Sequence, residues 1–233
     1  MRLDWSQIDT VLLDMDGTLL DLHFDSYFWL QHLPIRYAQI KGWDFLQSRD
    51  FLIDTLSKKK GTIDWYCVDY WSAQLQVDIA ALKAEVAHNI AFRPFAEQFL
   101  QALQKAGKKV VLVTNDHRSS LELKLSLTNL GDYLDAIVVS HDFAVAKEEQ
   151  AFWVDMQQQQ PFNPNRSLFI DDTADILSAA QQYGIKHLRH ILQPNTQIQR
   201  EVTSGYIGIA CFSDLNTQLQ QYLVQKGILQ HEY

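Results

Sequence analysis

Five short apolar runs, each closed by polar residues and each separated from its neighbours by turn signals or helix-length stretches, leave this chain few folds to choose from. They are Val11–Leu13, Val110–Val113, Ala136–Val139, Ser167–Ile170 and Ile185–Leu192. Most are rich in β-branched residues and too short for helices, the pattern of strands buried on both faces. Strands alternating with helices build a parallel sheet joined by right-handed crossovers. The expected fold class is α/β, a Rossmann-like three-layer core with a parallel sheet.

The stretches between the runs read as helices. Leu121, Leu123, Leu125 and Leu127 alternate like a strand, but Leu is a strong helix former, and Leu123, Leu127 and Leu130 fit one helical face. Ser119 with Glu122 three residues later matches a capping box. A crossover between parallel strands needs a helix here in any case. Another helix is expected to start at Pro94, show Phe95, Phe99, Leu103 and Ala106 on one face, and end at Gly107.

Residues 22–92 hold no alternating strand and read as several helices, with a kink at Pro34. Residues 22–95 contain 14 of the 27 Phe, Trp and Tyr residues. Rings at that density fill the thin core of a small helical domain, and a few of them are positioned to face a ligand. The expected organisation is a catalytic core of residues 1–21 and 93–233 with a helical cap of residues 22–92 inserted after the first strand.

Composition removes several functions. The net charge of -8, with a single basic run at Lys58–Lys60, does not suit binding to a nucleic-acid polymer. Cys67 and Cys211 stand far apart, in neither a disulfide framework nor a zinc motif. No apolar run approaches the length of a membrane span, and the first residues lack the apolar stretch of a signal peptide. A reduced, cytoplasmic, monomeric protein is expected.

The chemistry sits at the ends of the strands, where ligands bind in open α/β sheets. Asp14 and Asp16 follow the first run directly, and Gly17 lets the chain turn sharply away. Thr114 and Asn115 end the second run, Lys147 follows the third and its loop, and Asp171 and Asp172 end the fourth. Four carboxylates, a hydroxyl, an amide and an ammonium therefore converge on one sheet edge. Clustered carboxylates need a compensating cation. Hard oxygen donors without His or Cys select Mg²⁺ over zinc. A Mg²⁺ beside a Lys and a Thr suits a phosphoryl group, whose transfer rests on positioning and charge neutralisation.

On these motifs the chain resembles the haloacid dehalogenase superfamily, in its DxDGT phosphatase form with a helical cap. The resemblance implies that Asp14 is the nucleophile forming an aspartyl-phosphate and that Asp16 is the general acid/base. It places Mg²⁺ on Asp14, the main-chain carbonyl of Asp16, and Asp172 with its neighbour Asp171. Thr114, Asn115 and Lys147 are then the phosphate-binding residues. The fourth motif departs from the usual spacing, since Ile176 stands where a second acid is common, and Lys147 is followed by Glu148 instead of Pro.

Three longer segments, Thr10–Trp29, Asp64–Trp71 and Phe169–Leu177, resemble the bacterial GMP/IMP 5′-nucleotidases of that superfamily. The resemblance implies a purine mononucleotide as substrate and partner. Sugar-phosphate and phosphoglycolate phosphatases and phosphomutases share the motifs and stand as alternatives, and a non-catalytic binding protein is the rival from another class. His117 and His141 are expected in surface or capping roles, Asp21 and Asp25 near the entrance, and His187 and His190 on opposite sides of a strand.

Overall fold

The computed structural model describes residues 2–199 and 204–229. Five strands fall where the apolar runs lie: β1 (Thr10–Leu13), β2 (Lys109–Thr114), β3 (Ala136–Val139), β4 (Ser167–Asp171) and β5 (His187–Ile191). A sixth, β6 (Gly208–Ile209), is too short to show any periodicity in sequence. All pairings are parallel, in the order β3-β2-β1-β4-β5-β6. The chain winds from β1 out to β3, then returns to β4 on the other side of β1. The crevice that such a reversal opens lies at the carboxyl ends of β1 and β4.

Helices fill the connections. Between β1 and β2 come α1 (His23–Tyr27), α2 (Leu33–Lys41), α3 (Phe45–Ser57), α4 (Ile63–Tyr66), α5 (Val68–Leu75), α6 (Ile79–Glu85) and α7 (Ala96–Lys105). Then follow α8 (Arg118–Leu127), α9 (Gln150–Gln159), α10 (Ala174–Tyr183) and α11 (Ser213–Gln225). Among the described residues no helix is long and apolar enough to cross a membrane.

Strand alternation sorts the core into two layers. Val11 and Leu13 face Phe99, Leu103, Leu121, Phe212 and Leu219 of α7, α8 and α11 or their flanks. Leu12, Val111 and Phe169 face Phe152, Trp153, Met156, Ile176 and Leu177 of α9 and α10. Each fully buried side chain of this size contributes about 1.5–3 kcal/mol, and a sheet covered on both faces explains the near-continuous apolar runs.

The helices α1 to α6 enclose a core of their own, with Phe24, Phe28, Tyr37 and Trp71 buried among Leu33, Leu52, Leu75 and Ile79. The aromatic density of this segment therefore does serve packing. Where a kink was expected at Pro34, the structure has a change of helix type: Pro34 lies in the first turn of α2, and the turn before it, Phe28–His32, is π-helical. A wider turn accommodates the ring and the missing N–H without breaking the helical path.

Two local expectations fail. Phe95 does not join the buried face of α7. It precedes the helix at φ 64° and is 49% exposed, because that left-handed turn swings it outward, whereas Phe99 and Leu103 are fully buried. Gly107, at φ 61°, closes the helix as expected. In α8 the cap is His117, and Ser119 lies inside the helix with its hydroxyl on His117 Nδ1. The buried face carries Leu121 and Lys124, while Leu127 is 55% exposed. Packing below α8 set the face, and a charged residue occupies it.

Candidate active site

β1 delivers Asp14 to the sheet edge, and the chain then coils tightly, with the N–H groups of Thr18, Leu19 and Leu20 all donating to the carbonyl of Met15. Gly17 is required on two counts. Its φ is +83°, and a Cβ there would meet Asp172 Oδ2 at 2.7 Å and Pro194 Cβ at 2.9 Å. The first and fourth motifs thus touch through the absence of a side chain.

Lys147 is fully buried and donates to Asp14 Oδ1 at 2.7 Å, Asp171 Oδ2 at 2.9 Å and the carbonyl of Val113 at 3.0 Å. Burial works against its charge, but Asp14 and Asp171 outweigh that and hold its pKa above the ordinary lysine value. Asp171 is pushed well above the carboxylate range by burial and by the crowding of Asp14 and Asp172, with Lys147 opposing. Its other oxygen accepts from the N–H of Thr173 at 2.8 Å. Oxygen atoms of Asp14, Asp171 and Asp172 all lie within 4.8 Å of one another. Asp14 Oδ2 is buried with no protein partner among the described residues. A carboxylate oxygen left bare beside two more acids is the donor arrangement a hard divalent cation fits.

Thr114 Oγ1 accepts from the N–H of Asp116 at 2.9 Å, a bond that does not use its hydroxyl hydrogen. The Asn115 side chain is committed at both ends: Oδ1 accepts from the N–H of Lys147 at 2.9 Å, and Nδ2 donates to Glu148 Oε2 at 2.9 Å. Asn115 is therefore the clip that seats Lys147. Tyr66, at the end of α4, donates to Glu148 Oε1 at 2.8 Å and reaches this clip from the helical insert.

Asp16 is not one of that group of three acids, and its Oδ1 lies 2.7 Å from Lys124 Nζ. That buried ammonium also bonds Asp25 at 2.9 Å and Asp116 at 2.7 Å, and Lys83 holds the other oxygen of Asp25 at 2.7 Å. Burial, reinforced by Asp25 and Asp116, raises the Asp16 pKa well above the carboxylate range although Lys124 opposes it. For Asp25 burial also raises, but Lys124 and Lys83 prevail and its pKa is depressed. A carboxyl that holds its proton more tightly than an ordinary carboxylate is suited to general-acid work.

Sequence reasoning missed Lys124, Lys83, Asp116, Glu148, Tyr66 and His190. His190 is buried and donates from Nε2 to the carbonyl of Asp172 at 3.0 Å, so it steadies the fourth motif from β5. Asp21 is buried and structural, capping the start of α1 through the N–H of His23 and holding the hydroxyl of Thr196. For Lys124 the sequence carried no signal: the apolar spacing of α8 points to Leu123 and Leu127, whereas the covered face is that of Leu121 and Lys124.

Comparison with known proteins places this site in a family. The model of the haloacid dehalogenase-like hydrolases matches residues 8–184, which include all four motifs. This chain belongs to that family. Among haloacid dehalogenase-like hydrolases it is similar to the GMP/IMP nucleotidase YrfG of Escherichia coli strain K12, with 38% identity over 198 residues, 85% of this chain and 89% of that one. The pyrimidine 5′-nucleotidase YjjG of the same strain is 26% identical, over 75% of this chain and 80% of its own length. The solved structure of a phosphatase of the family from Thermococcus onnurineus shares the fold, with a TM-score of 0.76 at 20% identity, covering 91% of this chain and 98% of that one.

Proposed function

We propose that this hydrolase cleaves phosphate monoesters with Asp14 as its nucleophile, and that its substrates are purine nucleoside 5′-monophosphates of the IMP and GMP kind. The observation that carries the chemistry is the state of Asp14. One oxygen is pinned by a buried Lys147 and the other is buried and bare, at the sheet edge where Asp171 and Asp172 converge. The nucleotide preference rests on the similarity to YrfG.

Asp14, the main-chain carbonyl of Asp16 and Asp172 are the residues that would hold Mg²⁺, with Asp171 beside them. When bound, the ion supplies charge neutralisation around the phosphoryl group. Lys147 fixes the orientation of Asp14 and adds its own positive charge. Thr114 donates its hydroxyl to a phosphoryl oxygen, and Asn115 seats Lys147 and leaves its main chain to meet the phosphate. Asp14 attacks phosphorus while Asp16 gives its proton to the leaving nucleoside oxygen. Asp16 then takes a proton from water, which attacks the aspartyl-phosphate, releases phosphate and restores Asp14.

Residues 22–92 act in this reading as a cap on a core of residues 1–21 and 93–233. Tyr66 on Glu148 and Asp25 on Lys124 are contacts between the two parts. Closure excludes bulk water during transfer, and a cap ring stacked on the base contributes about 1–3 kcal/mol.

The test is phosphate release from IMP, GMP, AMP, pyrimidine monophosphates, sugar phosphates and phosphoglycolate, with and without Mg²⁺. The expected result is Mg²⁺-dependent release, fastest from IMP and GMP. Preference for a sugar phosphate would overturn the nucleotide assignment and leave the chemistry standing. Absence of release from every ester would overturn both.

A further inference from the structure

A second cluster of metal-binding side chains lies outside the acidic centre. Cys67 Sγ and one ring nitrogen each of His117 and His141 all lie within 4.8 Å of one another. Cys67 comes from the junction of α4 and α5 in the helical insert, His117 from the cap of α8 and His141 from the turn after β3. We propose that these three residues form a site for a borderline-soft divalent ion, Zn²⁺ above all, that bridges the insert to the sheet edge.

Each ligand is already oriented for the task. His141 Nε2 is buried with no partner among the described residues, while the ring contacts the main chain of Asn115. His117 is held through Nδ1 by Ser119 Oγ at 2.9 Å, which directs Nε2 outward, and Asp69 Oδ2 lies 3.6 Å from that nitrogen. The two rings meet edge to face at 5.0 Å. Imidazoles fixed through one nitrogen by an oxygen partner, with the other nitrogen presented, are the ordinary arrangement of ligating histidines. Cys67 is a free thiol whose sulfur accepts from the N–H of Tyr70 at 3.3 Å. Bond lengths of about 2.3 Å to sulfur and 2.0–2.1 Å to nitrogen bring tetrahedral ligands to within roughly 3.5 Å of one another. Ligand atoms already within 4.8 Å of one another need to close by at most roughly 1.3 Å, which is within the reach of side-chain rotation. Asp69 or water completes the shell.

Sulfur and nitrogen donors exclude Mg²⁺ here, as the all-oxygen donors of the acidic centre favour it. An ion bound at this site ties the insert to the loop that carries Thr114 and Asn115. Its consequence is inhibition: the insert stays closed and substrate exchange slows. The assignment does not rest on the phosphatase reading, and its primary readout is spectroscopic.

The full chain, saturated with Mg²⁺, is titrated with Co²⁺. The expected result is one equivalent bound, with a thiolate-to-cobalt charge-transfer band and intense tetrahedral visible bands, displaced by Zn²⁺. Cys67→Ser abolishes the charge-transfer band and Cys211→Ser keeps it. His141→Ala weakens Co²⁺ by at least the roughly 10–100-fold that losing an outer-shell partner costs, and His117→Gln, which retains bulk, does the same. Turnover of Cys67→Ser with Mg²⁺ alone equals that of the parent, and its inhibition by Zn²⁺ is lost. A spectrum without the thiolate band, or one that survives Cys67→Ser, overturns the site whatever the enzyme hydrolyses.

Discussion

Replacing Gly17 by alanine tests the way the first motif is pressed against the fourth. An alanine forced to φ +83° costs about 1–2 kcal/mol. Its methyl group would also lie 2.7 Å from Asp172 Oδ2 and 2.9 Å from Pro194 Cβ, and crowding of that kind adds about 1–3 kcal/mol. The sum is roughly 2–5 kcal/mol, or a fall in Tm of roughly 4–20 °C for a chain of this size. Pro194 is a rigid ring, so the group that gives way is the carboxylate of Asp172. Moving it spoils the metal shell, and the Mg²⁺ concentration for half-maximal phosphate release rises about 10–100-fold. Gly42→Ala is the control. That glycine sits at φ +68° with nothing within 4 Å of an added Cβ, so only the backbone cost applies and Mg²⁺ dependence is unchanged. Calorimetry and a Mg²⁺ titration of phosphate release read both effects. Equal Mg²⁺ dependence in the two variants would refute the reasoning.

Asp14→Asn is expected to abolish phosphate release while circular dichroism and Tm stay near the parent; retained turnover would remove the covalent step. Asp16→Asn slows turnover by about 10²–10⁴-fold and, measured in EDTA, raises Tm at neutral pH, because Lys124 keeps Asp25 and Asp116 as partners. The sign follows from the raised pKa of Asp16. The folded protein binds the proton more tightly than the unfolded chain, so Asp16 subtracts stability as pH rises above the ordinary value of 3.8, and the asparagine variant lacks that slope. Asp25 has the opposite sign: its pKa is lowered, so its contribution is present above 3.8 and is lost as pH falls through the folded value. Asp25→Ala leaves Lys83 and part of the Lys124 charge uncompensated, an expected cost of about 3–5 kcal/mol in a denaturant titration.

Much of the frame was legible because it is written locally. The β-branched runs, each ending in a polar residue, located five strands to within two residues at either end, since a buried parallel strand needs no partner identity to be recognised. Gly107 marked a helix end and Gly17 a turn for the same reason: a positive φ is a property of one residue. The failures are equally physical. Phe95 was assigned to a buried face by its spacing, yet a turn of one residue put it outside. Leu127 fitted a helical stripe, but which stripe of α8 is covered depends on β-strand and insert residues that the stripe itself does not encode.

The same division holds at the site. The sequence alone located Asp14, Asp171 and Asp172 at the ends of β1 and β4, because strand ends and motif spacing are local, and from that donor set it raised the expectation of a hard cation and a phosphoryl group. Only the tertiary structure decided that Asp16 answers to Lys124, that Asn115 serves Lys147, that Tyr66 reaches Glu148, that His190 props Asp172, and that Cys67 meets His117 and His141. Those pairs join side chains from different elements, most of them dozens of residues apart. Periodicity reports which face of an element is covered, and only the packed fold fixes what covers it.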